Sequence, residues 1–470
     1  MKRGQFLALT ILGFFLLLSG CTVGPNYKRP IVNVPASYRA TNDANATDNH
    51  SATSLGDEKW WTVFQDQQLQ QLIRTAIKQN YDVQVAATRI LQAQEQVTIT
   101  RSNQFPNVSG GPSVGGVRQP GIPNVFNAYS YLADQIGLSA GWTIDFWGRY
   151  RRATEAARAN LRASEWGQRA IVSTLVANVA TAYFGLREYD LELEIAQRTL
   201  ASRKQSLALT QTLEQGGATS LVDVRQAEQL VEEAAELIPE AQRAIAQAEN
   251  QISILLGENP TEIVRGRALT EQPLPETIPA GLPSRLLERR PDIQQAEQQL
   301  VAANAQIGVA RAQLFPQISL TGTAGLQSIG LGDLFTWPSR SWNWTAGVSQ
   351  PIFNAGALRA NVRLSQAQQQ QVLLTYEQTV QQAFREVSDS LIGYAKYRQF
   401  REHQENLTTA ARGASELSHT RYQGGVTSYL EVLTSETNYF SAEVNLARAR
   451  LNERLALVQV YDALGGGWEQ

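Results

Sequence analysis

The segment Gln215-Gly216-Gly217-Ala218-Thr219-Ser220 recurs 208 residues later as Gln423-Gly424-Gly425-Val426-Thr427-Ser428. Other identical or similar residues recur in the same order at offsets of 208 or 210. They are Asp223-Val224 with Glu431-Val432, Glu228 with Glu436, Leu256-Gly257 with Leu464-Gly465, and Asp82, Arg101, Phe105 and Pro106 with Asp292, Arg311, Phe315 and Pro316. So many matches in order indicate two copies of one structural unit.

Long segments poor in glycine and proline flank both Gly-Gly segments. They run from Arg149 to Leu213 and from about Ala357 to Tyr422. As unbroken helices, ~65 residues would extend about 100 Å at ~1.5 Å per residue. Return helices are predicted from about Ser220 and Ser428. The four glycines are therefore predicted to form the turns of two long helical hairpins: Gly216, Gly217, Gly424 and Gly425. Pro239 is predicted to kink the first return helix.

Each copy also contains a shorter helix followed by two alternating segments. In the second copy the helix runs from about Pro291 to Leu314 and ends at Phe315-Pro316. The alternating segments place apolar residues on one side and small polar residues on the other. They are 107–114 and 135–146 in the first copy, and 317–327 and 342–349 in the second. This pattern is typical of transmembrane β-strands, and Trp142, Phe146 and Trp147 favour a membrane interface.

Four membrane strands cannot form a closed barrel alone. Backbone groups in lipid must all be paired, so a sheet there has to close. Bacterial barrels have at least about eight strands. Two copies of the chain would give about eight strands and a filled interior, whereas three would give about twelve strands and room for a pore.

The N-terminus predicts a lipoprotein signal peptide. Lys2 and Arg3 precede a mostly apolar run from Phe6 to Leu18, the length of a signal-peptide core. The run leads into Leu18-Ser19-Gly20-Cys21, which resembles a bacterial lipobox. We therefore expect residues 1–20 to be removed and Cys21 to carry acyl chains such as palmitate, which together hold a protein firmly on a membrane. Thr22 follows the cysteine instead of aspartate, and by resemblance to lipoproteins this favours the outer membrane.

Composition excludes several other classes. The chain has 41 Lys+Arg and 43 Asp+Glu, which gives no electrostatic reason to expect a nucleic-acid partner. After the N-terminus, no stretch is expected to supply the ~20 apolar residues of a spanning helix. No catalytic constellation stands out, so neither an enzyme nor a cofactor is expected. The three histidines lack metal-ligand spacing, and a lipidated Cys21 with no later methionine leaves no sulfur ligand, so no metal site is expected.

Taken together, these features resemble the TolC family of outer-membrane efflux proteins, in particular its lipidated multidrug branch (the OprM/NodT-like group). The resemblance covers essentially the whole mature chain. The residues that carry it are Cys21–Tyr27, Arg29-Pro30, Trp60-Trp61, Phe64, Asp145–Arg149, Arg289–Ile293, Ala312–Pro316 and Pro351–Phe353.

The resemblance implies a mostly α fold with a β-barrel contribution. Long helical hairpins would form a periplasmic tunnel, four transmembrane strands per chain would contribute to a twelve-stranded barrel, and the channel would be a homotrimer. The implied partners are a periplasmic adaptor (membrane fusion) protein, an inner-membrane pump of the proton-driven resistance-nodulation-division type, and outer-membrane lipid. The implied location is the outer membrane, with a lipid anchor and a tunnel that projects into the periplasm.

The domain boundaries follow from the repeat. They are a signal peptide (1–20), a lipidated N-terminal segment with the equatorial region (21–80), the first repeat (81–257), a Pro-rich linker (258–284), the second repeat (285–465) and a C-terminal tail (466–470).

The family also implies a periplasmic gate at the hairpin tips. There, an aspartate on one hairpin meets a tyrosine on the other, and acidic residues ring the constriction. The matching positions in this chain are Asp223, Tyr422 and Glu431. Two departures put part of the latch in doubt. The family often has a charged residue where this chain has Thr427, and an aspartate where it has Thr434.

The predicted function is the passive exit duct of a tripartite efflux pump that exports drugs or other small toxic molecules. Two alternatives remain open within transport: a duct for metal-ion efflux and a duct for type I protein secretion. A third alternative, from another class, is a lipid-anchored coiled-coil structural protein without a pore. The exported substrate is not determined by the sequence, because in such pumps the duct is passive.

Overall fold

The computed structural model describes residues 22–39, 47–48, 53–121, 123, 128–275 and 277–469. The helices within these ranges are α1 (Trp60–Val63), α2 (Gln67–Gln79), α3 (Tyr81–Ser102), α4 (Arg149–Gln215), α5 (Leu221–Leu256), α6 (Pro283–Arg289), α7 (Pro291–Ala312), α8 (Ala357–Gln423) and α9 (Tyr429–Ala463). The strands are β1 (Thr47–Asp48), β2 (Asn107–Gln119), β3 (Tyr129–Ile144), β4 (Ile278–Pro279), β5 (Gln317–Ser328) and β6 (Arg340–Ser349).

The long helices agree with the prediction from the repeat. α4 and α8 contain 67 residues each, and the return helices α5 and α9 contain 36 and 35. Ser220 begins α5 with a capping box, and Gly257 ends it in a left-handed conformation with φ of 77°. Pro239 lies inside α5, which continues on both sides of it.

The four long strands form one antiparallel sheet in the order β2-β3-β5-β6. β2 and β3 are longer than their alternation predicted, with 13 and 16 residues. The sequence pattern missed the extra length because glycines such as Gly115 and Gly116 interrupt the alternation of β2. The hydrogen bonds of β3 nevertheless continue the pairing as far as Gln119. The connection between these strands therefore shrinks to residues 120–128.

The chain divides into two compact units, each of which collects corresponding parts of both repeats. The first unit consists of the described residues within 1–31, 89–165 and 295–377. Besides the sheet, it contains a core of buried alanines where α4 packs against α7: Ala156, Ala159, Ala302 and Ala305. Small side chains at such contacts allow two helices to approach closely.

The second unit consists of the described residues within 32–88, 166–294 and 378–470. Ile195 of α4 packs with Phe440, Val444 and Ala447 of α9, and Leu237 of α5 lies against this cluster. The Pro-rich linker belongs to this unit and is packed, since Ile263, Leu269, Ile278 and Ala280 are buried. No pattern in the sequence indicated this burial.

One described helix, α4, contains an 18-residue window that could cross a membrane by length and composition alone. The sequence expectation overlooked this window. However, 56% of the window is buried inside the chain, and a core helix gives the same signal. Val176, Val179 and Tyr183 of α4 are among the most deeply buried residues of the second unit. This window therefore carries little weight as a membrane span.

Candidate functional site

The register of the sheet gives it two faces of different chemistry. Residues that are directly paired across strands lie on the same face. Ser139 of β3, for example, is paired with Ser109 of β2 and with Thr323 of β5, which in turn is paired with Asn343 of β6. We call this side the polar face; among the described strands it carries no aspartate, glutamate, lysine or arginine. The Ser109 and Ser139 hydroxyls lie 2.8 Å apart across it.

The opposite side, here called the apolar face, continues across all four strands. Trp142 of β3 is paired with Leu320 of β5, which in turn is paired with Ala346 of β6. Large side chains on this face are exposed to a degree that is unusual for a water-soluble sheet: Trp342 is 75%, Trp344 67% and Val348 72% exposed. A sheet with one apolar and one small-polar face has the pattern of a membrane barrel wall, with lipid outside and water inside.

The two Gly-Gly segments lie at the turns between α4 and α5 and between α8 and α9. Gly217 and Gly425 adopt φ of 75° and 69°, a left-handed conformation that glycine tolerates best. The backbone hydrogen bonds also match: Ala218 N–H donates to Leu213 O, and Val426 N–H donates to Arg421 O, at 2.8 and 2.9 Å. Gly216 and Gly424 end the preceding helices. The duplication thus extends to the geometry of both turns.

Asp223 lies in the first turn of α5, where its carboxylate caps the helix. It accepts hydrogen bonds from Ser220 N–H at 3.1 Å and from the Ser220 hydroxyl at 3.0 Å. The Thr219 hydroxyl donates to the same oxygen. Partial burial opposes ionisation, but the hydrogen bonds from Thr219 and Ser220 outweigh it and lower the pKa of Asp223. The carboxylate is therefore ionised at neutral pH and is held by its own hairpin.

Tyr422 lies one residue before the end of α8. Its ring packs against Tyr429 of α9, with the ring centroids 5.3 Å apart, beside a buried cluster that includes Val432 and Ala227. The hydroxyl of Tyr422 is buried and has no hydrogen-bond partner among the described residues. The structure thus places Tyr422 and Asp223 near the turns of different hairpins, but it does not join them by a hydrogen bond within one chain.

Glu431 occupies on α9 the position that Asp223 occupies on α5. The Thr427 hydroxyl donates to its carboxylate, and Arg421 Nε lies 3.5 Å from the other carboxylate oxygen. Sequence reasoning missed the role of Thr219 and Thr427, each of which lies four residues before an acid. The signal was present, because a Thr-Ser pair followed by an acid three residues after the serine is a helix-start pattern.

Cys21 lies outside the described residues, but the residues that follow it are firmly placed. Val23 N–H donates to Trp147 O at 3.1 Å, next to the start of α4. Arg152 of α4 donates to the Asn26 side chain at 2.7 Å, and Asn304 of α7 donates to Pro25 O at 3.0 Å. This strap, residues 22–31, therefore fixes the chain just after the predicted lipid site against the end of β3.

Possible metal ligands occur in the sequence, but the described residues do not gather them into one site. No group of three or more histidine, cysteine, aspartate or glutamate side chains among them is arranged to hold a metal ion. His419 is paired with Glu436 across the second hairpin, and none of the described residues adds a third ligand. This pair stabilises the contact between α8 and α9.

Comparison with known proteins matches these features to one family. The profile of the family "Outer membrane efflux protein" matches residues 72–258 and again residues 282–466. The solvent efflux pump outer membrane protein SrpC of Pseudomonas putida is 36% identical over 460 residues, which cover 96% of this chain and 97% of SrpC. The cation efflux system protein CusC of Escherichia coli O6:H1 is 34% identical over 459 residues, 97% of each chain.

A solved structure has the same architecture. The open state of the Neisseria gonorrhoeae MtrE outer membrane channel has a TM-score of 0.86 and 32% sequence identity, covering 96% of this chain and 99% of that one. Its relatives are efflux proteins and channels, and the two-faced sheet and long hairpins are the parts from which such a channel is built. The chain belongs to the outer membrane efflux protein family and is an outer-membrane channel of an efflux pump.

Proposed function

We propose that three copies of this chain close a barrel and form the passive exit duct of a tripartite efflux pump. The observation that carries the proposal is the two-faced sheet, in which β2 and β6 are the edge strands. In lipid these edges have to be paired, and only another copy supplies matching edges. Three copies give about twelve strands, enough for a water-filled lumen, whereas two give about eight and a filled interior.

The polar face then lines the lumen and the apolar face meets lipid. The long hairpins continue the duct into the periplasm, where we infer that their tips meet a periplasmic adaptor. The adaptor connects the duct to an inner-membrane pump of the proton-driven resistance-nodulation-division type. The duplication supports this arrangement, because two similar hairpins per chain give six similar tips per trimer. The repeat boundaries at 81–257 and 285–465 belong to the same proposal.

The exported cargo is proposed to be small organic molecules, such as drugs or solvents. SrpC is named for solvent efflux and CusC for cation efflux, so the relatives support both classes. Two features of this chain favour organic cargo. The polar face is uncharged, and the only cysteine and methionine are Cys21 and Met1, so the mature duct lacks soft ligands for copper-type ions. Metal efflux and type I protein secretion are the alternative duties.

A lipid anchor on Cys21 is part of the proposal. The strap supports the anchor, because Thr22 directly follows Cys21 in the chain and lies against Gly148. Gly148 is at the end of the sheet that we propose to be in contact with lipid. Mass spectrometry of the mature protein should find acyl chains on Cys21 and no residue before it. An unmodified Cys21, or a different mature N-terminus, would contradict the anchor. Cys21→Ser should still form a channel, because the anchor and the barrel are separate devices.

Closure of the duct is assigned to the hairpin tips, with Asp223, Tyr422 and Glu431 as the gate residues. Asp223 and Glu431 on three chains give six carboxylates around one opening, which favours cations. Tyr422 lies beside the turn of the second hairpin, where its buried hydroxyl has no hydrogen-bond partner among the described residues, so a contact with Asp223 of another hairpin would require its side chain to turn outward. The absence of charge at Thr427 and Thr434 makes this gate simpler than the family pattern.

Planar-bilayer recordings of the purified full-length protein test the central claim. We expect discrete channels and a heat-modifiable, β-rich oligomer. A lipid-anchored structural coiled coil would show neither, so the lack of both would overturn the proposal. Disruption of the gene followed by a screen of toxic compounds tests the cargo. Increased sensitivity to organic compounds is expected, and increased sensitivity to metal ions alone would favour the alternative duty.

A further inference from the structure

Arg340 is a charged residue on the apolar face of the sheet. It begins β6 and is paired with Leu326 of β5, which places it in line with Trp342 and Trp344. An arginine on the lipid side of a barrel is unfavourable at the middle of the membrane and nearly neutral at its edges. Its position along the strand therefore decides what it can contact.

The position is close to the outer edge of the membrane. Val348 lies on the same face near the helical end of β6, eight residues from Arg340. Eight residues extend about 27 Å along a strand, which is about 21 Å along the membrane normal at a tilt of ~40°, compared with an apolar band about 25 Å tall. If Val348 is near the periplasmic edge, Arg340 is near the outer leaflet's headgroups. This step rests on the proposed topology.

The guanidinium of Arg340 lies against a tryptophan ring. It lies over the ring of Trp337 with 3.5 Å between its central carbon and the ring centroid, and Trp337 itself is 74% exposed. Arg340 forms no ion pair with any residue that the structure describes. A guanidinium stacked on one side keeps its N–H edge free, and that edge matches a phosphate by two parallel hydrogen bonds.

Other charges on this part of the apolar face are few. Arg118 of β2 lies further out, and Asp134 of β3 is separated from β6 by β5. Among the charged residues of the four strands on this face, Arg340 is thus the one that lies over an aromatic ring, that of Trp337. Side chains on the apolar face project perpendicular to the sheet, whereas a neighbouring copy pairs with its edge strands in the plane of the sheet. Closure of the barrel therefore does not cover Arg340, which still faces lipid.

We propose that Arg340 and Trp337 bind a phosphate of the outer-leaflet glycolipid, the lipid A part of lipopolysaccharide. Arg340 binds the phosphate through its N–H edge. Trp337 supports the guanidinium, and Trp342 and Leu326 contact the acyl chains below it. The site fixes the outer end of β6 at the headgroup level and makes the channel selective for phosphorylated glycolipid at its rim.

Native mass spectrometry of the delipidated full-length protein tests this. The probes are bisphosphorylated lipid A, the same lipid with both phosphates removed, and inorganic pyrophosphate. The wild type should bind the phosphorylated lipid on the order of tenfold more tightly than the dephosphorylated one, the strength of a charge-assisted hydrogen bond. Arg340→Gln should abolish this preference, and Arg340→Lys should retain part of it. The matched control, Arg363→Gln, changes an exposed arginine on α8 and should retain all of it.

The proposal would be overturned if the wild type showed no preference for the phosphorylated lipid, or if Arg340→Gln kept that preference unchanged. It would also be overturned if Arg363→Gln lost the preference to the same degree, or if pyrophosphate displaced the lipid, which would indicate a free-anion site. If Arg340→Gln fails to form the heat-modifiable oligomer, Trp337→Leu replaces it and should weaken the preference severalfold; an unchanged preference there counts against the site. Conductance of Arg340→Gln should equal that of the wild type. Missing conductance in the wild type would refute the duct, whereas an intact duct without lipid preference would refute only this site.

Discussion

Asp66 shows how a single carboxylate joins distant parts of the chain. It is 1% exposed and begins α2, whose Gln68 and Leu69 N–H groups donate to it. Its other oxygen accepts from Tyr183 of α4 and from two residues of the Pro-rich linker: Arg267, through its backbone N–H, and Gln272. Burial by itself would raise the pKa of Asp66. The hydrogen bonds that the carboxylate accepts, of which the one from Gln272 has the largest effect, outweigh burial, so the pKa lies below its ordinary value.

Replacing Asp66 with asparagine should destabilise the second unit. The change removes an acceptor for buried donors, so we expect a loss of about 2–4 kcal/mol in the free energy of unfolding at pH 7. Because the pKa of Asp66 is lowered on folding, its contribution is present above the ordinary value of 3.8 and is lost as the pH falls through the lower folded value.

Chemical denaturation between pH 7 and pH 3 measures both effects. The wild type should lose stability more steeply than Asp66→Asn toward the acid end. Glu232→Gln is a suitable control, because Glu232 is exposed on α5 and forms no ion pair or side-chain hydrogen bond with any residue that the structure describes. Equal stability of Asp66→Asn and wild type at pH 7 would contradict the role assigned to Asp66.

Glu188 of α4 behaves in the opposite way. It is buried beside Glu192, and one of its carboxylate oxygens has no hydrogen-bond partner among the described residues. Arg448 of α9 donates a hydrogen bond to Glu192 at 2.9 Å, so this arginine chiefly stabilises the charge of Glu192 and not that of Glu188. Burial, followed by the negative charge of Glu192, raises the pKa of Glu188 to about 8.

Stability should therefore fall as the pH rises through this range. The folded state binds the Glu188 proton more tightly than the unfolded state, in which the pKa of this residue is near 4.5. The loss of folding free energy therefore develops between about pH 4.5 and pH 8 and is complete above pH 8. Glu188→Gln should flatten this dependence and raise the melting temperature at pH 9. Glu194→Gln, also on α4, is the control. A melting temperature of Glu188→Gln below that of the wild type at pH 9 would show that the raised pKa is wrong.

At the scale of elements, the hairpins were predictable and the contacts at their tips were not. The glycines, the lengths of α4 and α8 and the start of α5 at Ser220 follow from local signals: breakers, caps and periodicity. The packing of Tyr422 on Tyr429 depends on how α8 meets α9, and that depends on side chains from both helices. The pairing of Asp66 with Gln272 joins residues 206 apart, and no local pattern indicates it.

The gate assignment makes a prediction about conductance. Removing the hydroxyl of Tyr422 and the charge of Asp223 should loosen the tip, so Tyr422→Phe combined with Asp223→Asn should raise single-channel conductance. Glu431→Gln should reduce the preference for cations, because it removes three of the six carboxylates proposed at the opening.

Matched variants make this test specific. Tyr397→Phe changes an exposed tyrosine of α8 far from the turn and should leave conductance unchanged. Asparagine at position 223 keeps an acceptor for the Ser220 N–H, so a general loss of the α5 cap is avoided. If conductance and ion selectivity of the gate variants equal those of the wild type, the gate lies elsewhere.

At the scale of the whole molecule, the sheet and the hairpins determine which side of the membrane each part faces. The strands of both repeats run directly into long helices at one end, so their other ends are expected outside the cell. The connection from Ser328 to Arg340 lies at that outer end. The connection of the first repeat, including Asn124, lies partly outside the described residues.

Thiol labelling of intact cells tests this topology. Gly330→Cys introduces a side chain with open space around it, and a lipidated Cys21 leaves no other thiol. We expect an impermeant reagent to label Gly330→Cys on intact cells. Val426→Cys, at an exposed position of the second hairpin turn, should react only after the outer membrane is permeabilised. The reverse pattern would place the hairpins outside and would contradict the proposed direction of export.

The equal length of α4 and α8 has a consequence for how such a chain can change over time. One extra residue in a helix advances its end by ~1.5 Å and turns it by about 100°. An insertion in α4 alone would therefore leave α8 short and turn one tip away from its neighbours. An insertion or deletion in α4 therefore has to be matched in the return helix of its own hairpin and in both helices of the other hairpin. Steps of seven residues, about two helical turns, best keep the packing faces of these helices aligned.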